Sequence, residues 1–334
     1  MNQLPPHVWQ LQGIDQSGPN VVLMGGTHGD ELTGPEILRY IMKALGLSES
    51  SPTTTVRPDI CGNLFLVFGN LEAMRLNKRG ATPGQPDLNR SFTRAELERP
   101  AERDEREDLR RARELAPLFM DTDYLFDIHA TSSPSRAFVC FGEDTPAHRE
   151  LYRLIPIDTV LTDPTAILAR DYGFTEIGTT DSIVNTRGGS AWSVARYGEK
   201  RGVGLAYETG QETDLTVVDT VMQTVARLLI HVGVVTPAFA EVIGVQPDAS
   251  PPQEQRVYKL AEMVLARHKP FTYAPGMDEG WQYVRAGALI GTYENGVEER
   301  SPGDGMLMFQ RASHKVEPPL NLYFLAEELA HLVP

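Results

Sequence analysis

A histidine and a glutamate three residues apart, His28 and Glu31, stand in the segment Gly25-Gly26-Thr27-His28-Gly29-Asp30-Glu31. An imidazole nitrogen and a carboxylate oxygen at this spacing can converge on one zinc ion at roughly 2.0–2.2 Å each. Taken alone, the pair also fits a helix entrance whose Glu is favoured by the helix dipole. A zinc site needs a third ligand, and Asp127-Ile128-His129 offers one. Asp127 lies two residues before His129, on the same side of a strand, where it could orient the imidazole. Tyr207-Glu208-Thr209-Gly210 adds a further carboxylate. Beside a metal such a group can take a proton from water and return it to a leaving nitrogen. Asp87-Leu88-Asn89-Arg90-Ser91-Phe92, with Arg79 upstream, supplies a guanidinium fork and an amide donor suited to a carboxylate. Each set is common alone. Their succession in one region is the informative feature.

These residues need strands and helix entrances to hold them. Asn20–Met24 reads as a short buried strand that ends in Gly25-Gly26, which lets the backbone turn sharply. A helix is expected from about Thr33 to Leu45, with Ile37, Leu38, Ile41 and Leu45 on one stripe. Asn63–Phe68, Tyr124–Ile128, Ala137–Phe141 and Gly202–Tyr207 read as strands. Ser190–Tyr197, Asp214–Val232 and the charged Arg94–Met120 read as helices, and Ser48–Pro58 and Gly69–Phe92 as loops. Alternating strands and helices argue for an α/β layer structure, with sites at the strand ends. After Thr236-Pro237 the texture changes. Short strand-like runs (Val242–Gln246, Val257–Leu260, Val264–Ala266, Gln282–Val284, Leu289–Tyr293, Gly305–Phe309) are separated by Pro251-Pro252, Pro275-Gly276, Asn295-Gly296 and Pro302-Gly303.

The chain has 334 residues, 31 Lys plus Arg and 45 Asp plus Glu, for a formal net charge of −14. That length suggests about two domains. The charge disfavours nucleic acid and anionic membranes as partners. Cys61 and Cys140 are too few for a disulfide scaffold and read as small hydrophobes. Met1–Gln16 lacks the charge and apolar run of a secretory signal. The best apolar stretch, Val217–Val235, is broken by Asp219, Gln223, Arg227 and His231. A cytoplasmic location is therefore expected, with homo-oligomerisation left open. His268 and His314 read as surface histidines.

The motifs Gly25–Gly34, Asp87–Phe92, Asp127–His129 and Tyr207–Gly210 together resemble the aspartoacylase and succinylglutamate desuccinylase family, which has the carboxypeptidase A fold. The segment Arg110–Phe119 before the His129 strand places the chain nearer the aspartoacylase branch. The resemblance covers about residues 20–232. It implies that His28, Glu31 and His129 hold one zinc and that Glu208 is the general base and acid. It implies that Arg79, or alternatively Arg75, polarises the scissile carbonyl. Asn89 and Arg90 would bind the α-carboxylate of the substrate. Arg187 or Arg196 would read its side chain, although Arg187-Gly188-Gly189-Ser190 also fits a helix entrance capped by Ser190.

The expected fold is α/β, a zinc carboxypeptidase-like mixed sheet flanked by helices, with a smaller C-terminal β-rich domain. Residues 1–236 would form the catalytic domain and 237–334 a cap. The expected activity is zinc-dependent deacylation of a small anionic N-acyl amino acid, of N-acetylaspartate or N-succinylglutamate type. Alternatives are a zinc carboxypeptidase acting on short peptides, or a metal-binding relative without catalysis. The negative charge is expected on the outer surface, with the cleft interior positive.

Overall fold

The computed structural model describes residues 4–100, 106–247 and 254–332. Its strands are β1 (Val8–Gly13), β2 (Asn20–Gly25), β3 (Thr54–Arg57), β4 (Asn63–Phe68), β5 (Tyr124–Thr131), β6 (Phe138–Phe141), β7 (Thr159–Thr162) and β8 (Val203–Gln211). The C-terminal region supplies β9 (Gln255–Leu265), β10 (Phe271–Tyr273), β11 (Gln282–Val284), β12 (Leu289–Tyr293), β13 (Glu298–Arg300), β14 (Gly305–Met308) and β15 (Asn321–Leu332). Twelve of them form one sheet in the order β11-β14-β15-β9-β7-β6-β8-β5-β2-β4-β1-β3. Its centre is parallel, with β2 beside β4 and β5, and β5 beside β8. Antiparallel pairs at β6/β8 and β1/β4 make it mixed. Strands β10, β12 and β13 form a separate small sheet.

The central strands are apolar on both faces because both faces are covered. On one face, helix Thr33–Ala44 packs Ile37, Leu38 and Ile41, all fully buried, against Leu23, Leu66 and Phe126. Burying each such side chain stabilises the fold by roughly 1.5–3 kcal/mol. Helix Val218–His231 joins the same core through Val221, Val225 and Leu228. On the other face, helix Glu107–Phe119 buries Leu109, Leu115 and Phe119 beside Val22, Met24 and Leu125.

The expected mixed sheet, its flanking helices and the β-rich C-terminal region are all present. The C-terminal strands do not sit apart from the main sheet: β9 pairs in parallel with β7, Val160 opposite Val257, so the sheet continues across the junction. A cluster containing Phe138, Leu161 and Ala206 from one side and Tyr258, Trp281 and Phe324 from the other fills that junction.

Several local expectations are corrected. Val242–Gln246 is not a strand; helix Pro237–Val242 ends there, since Phe239, Ala240 and Ile243 recur at helical spacing and bury into the main core. Val257–Leu260 and Val264–Ala266 merge into the single long β9, which β15 accompanies through three register irregularities. The Ser48–Pro58 segment holds edge strand β3, where Thr54, Thr55 and Val56 suit a pleated surface. Gly69–Phe92 contains helix Leu71–Leu76, whose entrance is capped by the Asn70 side chain accepting from the Ala73 amide. Arg94–Met120 divides into Arg94–Glu98 and Glu107–Phe119. Pro251-Pro252 lies outside the described residues.

Candidate active site

Strand β2 runs into Gly25-Gly26, and the chain then turns through Thr27–Glu31 before its helix begins. Gly26 has φ +75°, a backbone region that favours glycine. Gly29 lies so close to the neighbouring loop that an added Cβ would sit 2.0 Å from the Ala73 carbonyl carbon. This tight passage brings His28 and Glu31 against the end of β5.

The three expected ligands meet there. His28 Nδ1 is 2.7 Å from Glu31 Oε1, and His129 Nδ1 is 2.9 Å from Glu31 Oε2. One donor atom from each of His28, Glu31 and His129 lies within 4.8 Å of the others, and all three residues are buried. Two imidazoles and one carboxylate form a donor set found in open catalytic zinc sites. His129 Nε2 lies 2.9 Å from Asp127 Oδ2. Asp127 therefore orients the imidazole as its position two residues upstream implied, leaving Nδ1 for the shared centre. The same Asp127 oxygen accepts hydroxyl hydrogen bonds from Thr27 and Thr180, 2.7 Å each. The Ala130 amide donates to Glu31 at 3.1 Å.

The electrostatics follow from this packing. Burial opposes ionisation of Glu31, but the His28 and His129 rings outweigh it and hold the carboxyl below its usual range. Burial likewise opposes a charge on His129, yet the Asp127 and Glu31 carboxylates raise its pKa well above the ordinary value. Glu208 faces a different balance. It sits in β8 as the register partner of His129, and burial pushes its carboxyl up to about 7. A carboxylate with that pKa is matched to proton transfer near neutral pH.

The arginine loop closes the site from the side. Arg79 donates from Nε to Asp87 Oδ2 at 3.0 Å, and one of its terminal nitrogens lies 3.9 Å from Glu31 Oε1. Asp87 Oδ2 also lies 3.6 Å from His28 Nε2. Burial works against the Asp87 charge, but Arg79 and His28 keep its carboxyl well below the usual range. Asn89 accepts from the Thr180 amide through its side-chain oxygen at 3.1 Å, so its –NH2 is the half that can donate to a substrate. Arg90 is buried and donates to the Asn89 carbonyl.

Most of these residues line one cavity of about 940 Å³, within the size range of small-molecule sites, with His129 and Asp127 buried behind its wall. His28, Glu31, Arg79, Asn89, Arg90 and Glu208 are among its walls; Arg75, Arg187 and Arg196 are not. Arg75 is paired with Glu72 on the exposed helix Leu71–Leu76. Arg196 stacks over Trp192 and Tyr197, 5.5 and 5.7 Å from their ring centres, and Ser190 caps that helix. Arg187 ends helix Thr180–Arg187. Surface pairing accounts for Arg75 and ring stacking for Arg196, whereas half-buried Arg187 keeps one guanidinium nitrogen without a hydrogen-bond partner. The expectation of a positive interior is also corrected. Among the described residues, eight carboxylates line the cavity against five Lys and Arg side chains. Thr27, Thr180, Asp163 and Asp181 escaped the sequence reading because they carry no spacing signal. Trp281 and Phe309 escaped it because only the turn of the C-terminal strands brings them to the cavity.

A mixed sheet whose strand ends bring two histidines and a glutamate beside a cavity defines an α/β protein with a strand-end candidate site. Residues 17–160 match the family model described as the succinylglutamate desuccinylase/aspartoacylase catalytic domain. That match bears out the resemblance read from the motifs. Similar solved structures include murine aminoacylase 3, at 20% identity and TM-score 0.64, covering 95% of this chain and 98% of that one. A succinylglutamate desuccinylase/aspartoacylase from Rhodobacter sphaeroides has 18% identity and TM-score 0.62, covering 96% and 88%. The product-bound ectoine utilization protein EutE (DoeB) of Ruegeria pomeroyi has 17% identity and TM-score 0.61, covering 96% and 88%. At these identities the likeness is one of fold. No curated protein matches the sequence significantly. Among the described residues no helix is long and apolar enough to cross a membrane.

Proposed function

We propose that the chain is a zinc-dependent amidohydrolase that removes the acyl group from a small N-acyl amino acid. The observation that carries this reading is the convergence of His28, Glu31 and His129 at the wall of a cavity that Glu208, Asn89 and Arg90 also line. A zinc ion held by His28, Glu31 and His129 would act as a Lewis acid and lower the pKa of water. The carboxylate of Glu208 takes the proton of the attacking water. Arg79, fixed by Asp87, faces the oxygen of the scissile carbonyl and stabilises the negative charge that develops there. Asn89 and Arg90 hold the substrate carboxylate and fix the amide against Glu208. Glu208 then gives its proton to the departing amino group, and a carboxylate and a free amino acid leave. Residues 1–236 supply this chemistry. Residues 237–334 act as a cap, a role supported by Trp281, Phe309 and Lys315 on the cavity wall. An enzyme of this kind works as a soluble cytoplasmic protein on free metabolites.

The test is amine release from a panel of N-acetyl and N-succinyl amino acids, with dipeptides as the carboxypeptidase control. Hydrolysis of an acyl amino acid that is lost in Glu208→Ala while zinc content stays constant is the expected result. Hydrolysis of dipeptides alone would assign a carboxypeptidase instead.

A further inference from the structure

Part of the cavity wall is apolar. Half-buried Phe309, Leu168 and Ile177 line it with Trp281, backed by Phe138 and Phe324. Phe138 is the register partner of Glu208, so this wall begins one strand away from the proposed proton-transfer group. The rings meet edge-on: Phe138 to Trp281 at 5.1 Å, Phe138 to Phe309 at 5.5 Å and Phe309 to Phe324 at 5.9 Å between centres.

Two of these aromatics adopt backbone conformations that bulky residues avoid. Trp281 has φ +68° and Phe309 has φ +48°. Such strain persists where the surroundings over-determine it, and it gathers at ligand clamps. The surroundings here are the residues just after His129 in the chain. The Trp281 indole donates to Ser135 Oγ at 3.1 Å, and the Gly280 amide donates to the Pro134 carbonyl at 3.0 Å. Ser133 donates to the Gln310 carbonyl at 2.5 Å. The C-terminal strands and the metal-site strand thus hold Trp281 and Phe309 at the cavity.

The guanidinium over this wall, Arg136 at 5.4 Å from the Trp281 ring centre, is paired with Asp158 at 2.9 Å, and the acids beside the wall would repel a second carboxylate. Asp163 and Asp181 are buried acids of the same cavity. Lys315 is bonded to Asp30 and Glu212 at 3.2 and 2.9 Å, and Arg311 to Asn321. Lys78 is exposed.

We propose that Trp281 and Phe309, supported by Phe138, form the specificity-determining wall of this site and receive a bulky apolar, aromatic group of the N-acyl amino acid. The proposal rests on the deacylase reading and names its substrate class. The aromatic group has two sources, the amino acid side chain or the acyl group.

Hydrolysis and calorimetric binding on the zinc-loaded protein separate the outcomes, using N-acetyl-L-phenylalanine, N-benzoylglycine and N-acetyl-L-aspartate. One aromatic compound should exceed N-acetyl-L-aspartate in kcat/KM by at least about tenfold, and the better of the two identifies the source. Trp281→Ala should lower kcat/KM for that compound about tenfold, and Phe309→Ala likewise, while N-acetylglycine changes less than twofold. Trp281→Phe should restore most of the loss; comparing substrates on one variant separates selectivity from misfolding. Preference for N-acetyl-L-aspartate, equal losses on every substrate, or binding of none of the three compounds would overturn the wall assignment. Tight binding of an aromatic compound without turnover of any would leave the wall standing and remove the deacylase reading.

Discussion

The strand ends that carry His28, His129 and Glu208 and the C-terminal strands that carry Trp281 and Phe309 face one cavity, but different forces hold them. In the first region polar groups place one another around His129 and Arg79. Asp127 serves His129, Thr27 and Thr180 at once, and Asp87 serves Arg79 and His28. Such networks fix positions closely because each lost partner leaves a buried group unsatisfied. In the second region position comes from ring packing and from a strained backbone tied at Ser133, Pro134 and Ser135. The difference separates two tasks. On the proposed reading, polar networks hold the groups that do chemistry, and the apolar wall selects what reaches them.

The contrast can be broken at its strongest point by His129→Ala. This variant should lose stoichiometric zinc, measured by elemental analysis, and with it all turnover. Retention of both would mean that the polar network does not hold the metal. Next in size, Glu208→Gln should lower kcat by roughly 10²–10⁴-fold, the usual worth of a positioned proton-transfer group. Its zinc content should stay unchanged, which separates chemistry from ligation within one region. Asp127→Asn should weaken zinc affinity by roughly 10–100-fold, read by competition with a chelator, because the imidazole loses its orienting carboxylate. An unchanged affinity would show that the charge of Asp127 is not needed to orient His129.

A smaller effect concerns the acids of the cavity. Burial raises Asp181 to about 6 from an ordinary value of 3.8. The folded state therefore binds this proton more tightly than the unfolded chain. That contribution to stability is complete below about 3.8 and is lost as pH rises through about 6. Asp181→Asn should be more stable than the parent at pH 8 by about 3 kcal/mol, with the gap closing toward pH 4 in chemical denaturation. A gap independent of pH would assign the effect to packing. The smallest change is expected for Lys315→Met, which cuts the bridge from the C-terminal region to Asp30 and Glu212. Partly exposed pairs contribute at most about 1 kcal/mol, so a larger fall in stability would show that the two regions are coupled through charge as well as through the shared sheet.

Much of the first region was legible in the residues. Strand Asn63–Phe68 has the bounds read from its apolar run, and Ile37, Leu38 and Ile41 lie buried on one helix stripe as their spacing required. The His28–Glu31 pair and the contact of Asp127 with His129 follow from spacing on a turn and a strand, and the family resemblance implied that His129 joins the pair. The second region was less legible. Its short strands were seen as runs, but β9 and β15 appear as long paired ribbons only when each meets its partner. Pairing also carries β5 to Thr131 and β8 to Gln211, beyond the ends read from composition. Hydrogen bonds between distant segments set those limits, and local residue type does not report them.

Within its 334 residues the sequence by itself determined the types of chemical group available and the local geometry that offers them: a histidine and glutamate on one turn, an aspartate behind a histidine, an Asn-Arg pair in a loop. Those are short-range properties of spacing and backbone preference. The tertiary structure alone decided which arginine enters the cavity, Arg79 and not Arg75, Arg187 or Arg196. It also decided that the cavity is rich in carboxylates and walled by Trp281 and Phe309. Sheet register and loop crossing bring residues more than a hundred positions apart into contact, as with Ser135 and Trp281. The charge and shape of a cleft are sums over such contacts, and neither net charge nor motif order contains them.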